Sequence, residues 1–376
     1  MNDEDDRARR SGSALVHDFF FAPGGAEEVA VQLAGLLRGP DVYTTFIEPA
    51  YRGRLAGSGI HAWPLQRLFG PTRAYRAFLP LYPLWFSALD LRRYDLVVSS
   101  SASFAKAVRT RPGATHIAYV HAPMRYAWDL ETYLAGSTFG VPTRVAARML
   151  RPVLRRWDVR TSRRPDVLVA NSTAVRERVL RYWGREAEVI QPPVDVDALH
   201  VSEQDDGYLL VAARMLAYRR LDVAVDAANR TGRSVVLVGT GPEEKRLRAL
   251  AGPTVRFTGP VDRTTLIDLF QRCHAYIVPG EEDFGIAPVE AMAAGKPVVA
   301  LRAGGALDTV ADGITGVLFD RADPDALVDA LDRLEGMTFD QHAIRAQAER
   351  FSTDVFRARW RELFARLGVD PSLYAG

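Results

Sequence analysis

The chain is poor in cysteine, in lysine and in long apolar runs, and each shortage excludes something. One cysteine, Cys273, leaves no disulfide framework and no thiolate metal cluster, and its apolar surroundings at a helix end suit packing. The longest apolar stretch, Phe78 to Leu89, is interrupted by Pro80 and Pro83 and falls far short of the ~20 residues a membrane span needs. Residues 1–13 are charged and carry no apolar segment of the secretory type, so they are expected to be disordered. The expected location is cytoplasmic, with contact at the inner face of the plasma membrane left open. His-rich or Cys-His ligand spacing is missing, and no metal site is expected. A net charge of +2 exerts no strong pull toward nucleic acid. The only lysines are Lys106, Lys245 and Lys296. From Arg144 to Glu186, twelve arginines face four acids. Such a stretch is either a solvated helical surface or a basic face for anionic lipid or diphosphate.

What is present describes an ordinary globular chain, 48% apolar and 25% charged, and 376 residues are long for one core. Two domains are therefore expected. Short apolar runs alternate with helical patterns throughout, which argues for parallel α/β sheets. In the first half the expected strands are 14–17, 42–46, 96–99, 116–120, 167–170 and 189–190. In the second half they are 209–212, 235–238, 255–257, 275–278, 298–301 and 317–319. Gln191-Pro192-Pro193-Val194-Asp195 breaks both patterns and reads as a linker over 191–200. That leaves one domain over 14–190, a second over 201–352, and a final helix from about Thr353 to Leu367. Phe356, Trp360 and Phe364 recur on that helix at helical spacing. Ligands of such sheets bind beyond the carboxyl ends of the strands, so a cleft between the domains is the expected site.

The segment from Pro279 to Gly305 is the most informative. The run Tyr276-Ile277-Val278 reads as a buried strand. Glu282 and Glu290 follow with seven residues between them, enclosing Phe284-Gly285-Ile286 and Pro288. Ala291 to Ala294 reads as helix, stopped by Gly295. A strand that feeds a helix N-terminus offers free backbone N–H groups and the positive end of the helix dipole, which suits an anionic or polyhydroxylated ligand. Glu290 is expected in the first helical turn, where the dipole would favour it without any ligand. Ala287, at the expected cap, has no oxygen for a capping box.

Arg214 and Arg219 stand at another strand end, where two guanidinium forks suit a diphosphate. Val238-Gly239-Thr240-Gly241-Pro242 begins like a dinucleotide fingerprint but lacks its third glycine and the later acid, which argues against a dehydrogenase. In the first domain, Asp18 leads to Pro23-Gly24-Gly25-Ala26-Glu27 at a helix start, which fits either phosphate contact or a tight turn. His121 lies just past a strand in Tyr119-Val120-His121-Ala122-Pro123-Met124-Arg125-Tyr126-Ala127-Trp128-Asp129. There an imidazole can bond a sugar hydroxyl and sense charge at physiological pH. Asn171 and Ser172 suit the cap of a following helix.

The Glu282-x7-Glu290 segment, with Glu290-Ala291-Met292-Ala293-Ala294-Gly295-Lys296-Pro297-Val298-Val299-Ala300, resembles the nucleotide-sugar signature of retaining glycosyltransferases of family 4. The 119–129 cluster, Phe104-Ala105-Lys106 and Ala170-Asn171-Ser172 resemble a subgroup that includes O-antigen and exopolysaccharide mannosyltransferases. The resemblance implies a GT-B fold: α/β, with two Rossmann-like doubly wound domains facing across a cleft and the last helix crossing back. It implies an acceptor-binding first domain of 14–190 together with 353–376, and a nucleotide-sugar-binding second domain of 201–352. The implied donor is GDP-mannose, with a UDP- or dTDP-sugar, or a non-catalytic sugar-nucleotide-binding protein, as alternatives. It assigns Glu282 and His121 to the sugar, Glu290 to ribose, and Arg214 and Arg219 to diphosphate. Gly24, Gly25, Gly239, Gly259, Phe284, Gly285 and Ile286 become donor contacts. The family usually has Lys where this chain has Arg219. Gly304-Gly305 and Thr309 resemble a further motif, with Leu307-Asp308 departing from it. Asp195-Val196-Asp197 spells a DxD, a metal motif in other glycosyltransferases, but lies in the linker, where an Asp suits helix capping. The implied acceptor is a glycan, a natural product or a polyprenyl-diphosphate-linked sugar. The apolar stretch 63–89, with Phe69, Phe78, Leu79, Tyr82, Trp85 and Phe86, suits either lipid contact or core.

Overall fold

The computed structural model describes residues 12–21, 24–66, 81–131 and 140–375. Two parallel sheets organise them. The first has seven strands in the order β3-β2-β1-β4-β5-β6-β7: β1 Ser13–His17, β2 Asp41–Thr44, β3 Gly59–Ala62, β4 Leu96–Ser101, β5 Thr115–Val120, β6 Val167–Ala170 and β7 Glu188–Val189. The second has six in the order β10-β9-β8-β11-β12-β13: β8 Leu209–Ala212, β9 Val235–Val238, β10 Val255–Gly259, β11 Ala275–Val278, β12 Val298–Leu301 and β13 Gly316–Phe319. The helices that matter below are α1 Gly25–Leu36, α2 Val141–Thr161, α3 Thr173–Trp183, α4 Ile286–Ala293 and α5 Thr353–Arg366. In both sheets the order reverses beside the first strand of the domain, which opens a crevice at the carboxyl ends of β1 and β4, and of β8 and β11.

The central strands are buried on both faces, as continuous Val/Ile/Leu runs require, and these are the strands that sequence pattern identifies. The strand missed was β3. Its Gly-Ile-His-Ala is short, alternates exposed and half-buried residues, and sits at the sheet edge, where little apolar burial is needed. Ser13, assigned from sequence to the disordered N-terminus, is instead the first residue of β1 and pairs with Leu96. The rest of that segment, 1–11, lies outside the described residues.

α5 crosses back to the first domain. Phe356, Trp360 and Phe364 are buried in one cluster with Leu15, Val98 and Tyr119 of the first sheet. Trp360 lies 6.1 Å from the Tyr119 ring. Each such side chain contributes roughly 1.5–3 kcal/mol of burial. Where the chain passes between the domains, Val194 bridges Ser352, and its N–H donates to Phe351 O at 2.9 Å. The two crossings thus run side by side. Asp195 makes no side-chain cap there, contrary to expectation, and the Asp197 side chain is 91% exposed.

Within the apolar stretch 63–89, Tyr82 and Phe86 are fully buried and Trp63 nearly so, which makes them core. Phe69, Phe78 and Leu79 lie outside the described residues. Cys273 is buried beyond a helix end, its Sγ 3.3 Å from Phe270 O, as packing predicts.

Candidate active site

The cleft is built from loops at the carboxyl ends of the strands. On the second domain, β11 runs into the loop that carries Glu281, Glu282 and Asp283. Gly285, with φ of 91°, turns that loop into α4. The helix therefore starts at Ile286, earlier than expected, and Glu290 lies in its second turn. That removes the dipole explanation for Glu290, because the effect fades beyond the first turn. Glu290 is buried and meets the guanidinium of Arg263, a residue that sequence reading did not single out. Burial pushes its pKa up and Arg263 opposes the shift. Glu282, with a side chain 13% exposed, contacts the guanidinium of Arg219. Arg219 Nε is buried without a hydrogen-bond partner. Arg214 is exposed to the cleft. The Phe284 ring turns away into the core, 5.5 Å from Phe351, so this residue can present only its backbone.

The glycines divide into two kinds. Gly239 takes a φ of 115°, and a Cβ there would collide with Ala213 O, while one on Gly241 would collide with the Met215 backbone. Both are explained by the close approach of two loops of the same domain, without a nucleotide. Gly259 faces open space, and its carbonyl accepts from Gly239 N at 2.9 Å. Gly24 is an extended residue that precedes α1. Gly25 meets the other domain, since a Cβ there would lie 2.6 Å from Ile286 Cδ1.

His121 is buried at the end of β5, and its Nε2 lies 2.8 Å from Ser100 Oγ. The same hydroxyl lies 3.1 Å from His17 Nδ1. Burial pushes His121 down to about 3, and the nearby His17 adds to the shift. Burial likewise pushes His17 down to about 4. His121 therefore stays neutral at physiological pH and serves as a hydrogen-bonding imidazole, which corrects its expected role as a charge sensor. Asn171 Nδ2 donates to His121 O at 3.1 Å, while Ser172 caps α3 by accepting from Val175 N. Glu27 was also missed. Burial pushes its carboxyl up to about 7, with Arg214 across the cleft pulling it down.

Behind this loop lies a buried polar core. Asp18 accepts four backbone N–H bonds of 2.7–2.9 Å from Ala102 to Ala105. Lys106, 1% exposed, donates to Asp158 at 2.6 Å and to Ser103 O at 2.7 Å. Asp158 also accepts from the indoles of Trp128 and Trp183, each at 2.7 Å. Lys106 is thus structural: it ties the Ser101–Lys106 turn to the helical turn Arg125–Trp128 that follows His121.

The domains meet through charge. Asp283 accepts from Arg125 at 2.6 Å and from Arg178 at 2.5 Å, both of the first domain. Arg178 also lies 3.1 Å from Glu281, and Arg125 stacks 4.5 Å from the centre of the Tyr218 ring. Asp308, the departure from the family motif, accepts from Thr173 N at 2.7 Å at the start of α3. A cavity of about 1020 Å³ opens beside this seam, lined in part by Arg125, Trp128, Tyr182, Tyr218, Arg220 and Glu281. Among the described residues, no group of three or more His, Cys, Asp or Glu side chains could hold a metal ion.

Comparison with known proteins bears on the fold and the family. Residues 23–198 match the family described as Glycosyltransferase Family 4, and residues 197–351 match the one described as Glycosyl transferases group 1. D-inositol 3-phosphate glycosyltransferase 2 of Catenulispora acidiphila is 30% identical over 242 residues, or 54% of this chain and 56% of that protein. The D-inositol 3-phosphate glycosyltransferase of Xylanimonas cellulosilytica is 30% identical over 241 residues, covering 54% and 57%. The match thus spans a little over half the length of these curated relatives. Anabaena Alr3699/HepE, solved in complex with UDP and glucose, superimposes with a TM-score of 0.69 at 19% identity, covering 94% of this chain and all of that one. Sucrose-phosphate synthase from Thermosynechococcus elongatus gives 0.68 at 18% identity, covering 96% and 99%. At such identities the likeness shows the fold, which is GT-B.

Proposed function

We propose, for a GT-B chain built from a family 4 glycosyltransferase half and a glycosyl transferase group 1 half, that it moves a hexose from a nucleotide sugar with retention of configuration. One observation carries the reading. Arg219 contacts Glu282 beside Gly285 at the start of α4, Glu290 lies one turn further in against Arg263, and Gly25 of the other domain packs on Ile286, with Arg214 close enough to act on Glu27 just beyond it. The donor diphosphate meets Arg214, Arg219 and the free N–H groups at the helix start. Glu290, oriented by Arg263, accepts from ribose hydroxyls. Glu282, held by Arg219, accepts from the sugar, and neutral His121 bonds the same sugar.

In the reaction, the bond from the anomeric carbon to the leaving phosphate oxygen breaks, and the acceptor oxygen bonds to that carbon on the same face. The acceptor proton passes to the leaving phosphate. The arginines stabilise the charge that develops there, the role a metal plays elsewhere. Glu282 is already paired with a cation and is not assigned as a nucleophile. Domain closure limits hydrolysis by excluding water.

The donor we propose is GDP-mannose, on the resemblance of the 119–129 cluster. The complex of HepE with UDP and glucose supports a UDP-sugar as the second reading. Thermal shift with GDP, UDP and their sugars tests this, followed by product mass with each donor. Stabilisation by UDP but not GDP overturns the mannose assignment, and unchanged turnover in Glu282→Ala and Arg214→Ala overturns the site.

We also propose peripheral contact with an anionic membrane and a glycan or polyprenyl-linked acceptor. No described helix is long and apolar enough to cross a membrane. α2 instead exposes Val141, Val145, Met149 and Val153, spaced four apart and 47–75% exposed, with Arg156 and Arg160 beyond them. Such a face suits the boundary of headgroups and acyl chains. Cosedimentation with anionic but not neutral vesicles is expected, and loss of that difference in Met149→Asp tests the surface.

A further inference from the structure

Glu282 and Asp283 are adjacent in sequence, yet they serve different domains. Glu282 contacts Arg219 within its own domain. Asp283 is bonded by two arginines of the other, from two separate elements: Arg125, four residues past His121, and Arg178, inside α3. All three side chains are largely enclosed, with exposures of 21%, 26% and 20%. The same seam holds Glu281 against Arg178 and Asp308 against the N-terminus of α3, so three carboxylates of the second domain grip one helix of the first.

We infer that Asp283 is a positioning residue that makes the geometry of the sugar-binding loop conditional on domain closure. When the domains part, Asp283 loses both charged donors and the loop loses its outer anchor. When they close, the anchor forms on one side of the peptide unit joining Glu282 to Asp283, and Arg219 holds the other. Arg125 follows His121 in the same loop, so closure also brings the opposing wall of the site to a fixed distance. The loop thus reaches its working geometry only when the first domain covers it, which couples donor activation to the exclusion of water. Tyr218, the neighbour of Arg219, receives the Arg125 guanidinium on its ring and completes the coupling from the diphosphate side.

The inference rests on the proposed glycosyltransfer for its kinetic consequence but not for its structural one, and the test separates the two. Asp283→Asn keeps the shape and removes the charge. Arg178→Ala removes a partner on the other domain and leaves every residue of the 279–285 loop in place. With the full chain, small-angle scattering at low salt should show both variants more expanded than the parent, and high salt should expand the parent toward them. Binding of the nucleoside diphosphate alone, which uses Arg214, Arg219 and Glu290, should stay within about twofold, while kcat for transfer falls at least about tenfold. Unchanged compaction and kcat in both variants overturns the inference. So does a loss of diphosphate binding in Asp283→Asn that matches the loss of kcat, because the residue would then only support its own domain. If no sugar nucleotide is turned over by the parent, the functional reading fails and scattering still decides whether Asp283 holds the domains closed.

Discussion

Asp158→Asn is the sharpest test of how the first domain holds its half of the cleft. Asp158 is fully buried, and its two oxygens receive three donors: Lys106 Nζ on one, and the Trp128 and Trp183 indoles on the other. Lys106 also lies 5.0 Å and 5.4 Å from the Trp183 and Trp157 ring centres and is 1% exposed. The substitution preserves volume, so no cavity term enters. What it leaves is a buried ammonium without its ion-pair partner. Breaking such a pair costs about 3–5 kcal/mol. A domain of this size shifts by roughly 2–4 °C per kcal/mol, which predicts a fall in Tm of about 10 °C. Calorimetry with a Lys106→Met and Asp158→Asn double-mutant cycle measures it, and the coupling should exceed about 2 kcal/mol. A loss below about 1 kcal/mol would place the pair with exposed salt bridges and refute the argument from burial. Trp128 closes the helical turn that begins at Arg125, so activity should fall with stability.

Other expectations follow from the same contacts. Glu27 has a folded pKa of about 7, above its ordinary value of 4.5. Its contribution to stability is therefore present below the ordinary value and lost as pH rises through the folded one. Glu27→Gln should gain in Tm over the parent at about pH 8 and show little difference at about pH 4, and equal gains at both would refute the burial argument. For His17 and His121, the folded values of about 4 and about 3 lie below the ordinary 6.5. Stability should be retained above 6.5 and decline as pH falls toward those values, less steeply in a His17→Gln, His121→Gln double variant. The pH–rate profile of the parent should carry no limb from His121 between about pH 6 and 8. Arg263→Ala removes the cation that opposes the upward shift of Glu290, so nucleotide affinity should weaken at least severalfold, with the largest effect at low pH. Titration calorimetry at two pH values reads that difference.

The central strands are legible as short apolar runs, because a central parallel strand must be apolar on both faces and few other segments can be. β3 escaped because an edge strand is under no such demand. The fingerprint at Gly239 looked like a ligand signal, whereas the structure shows two loops of one domain that touch where a side chain would not fit. The start of α4 was misplaced by a residue or two. Propensity does not mark a boundary where Gly285 begins the helix without a side-chain cap.

The sequence by itself determined the two parallel sheets, through short apolar runs, and drew attention to Arg219, Glu282 and His121 in segments that the structure puts at strand ends. Tertiary structure alone decided their partners. Arg263 lies 27 positions from Glu290, Asp158 lies 52 from Lys106, and Arg125 lies 158 from Asp283. Nothing local marks such pairs, because charge attraction is blind to sequence distance and acts only once packing has brought the groups together. The protonation of His121 was likewise set by burial, which the chain acquires only on folding.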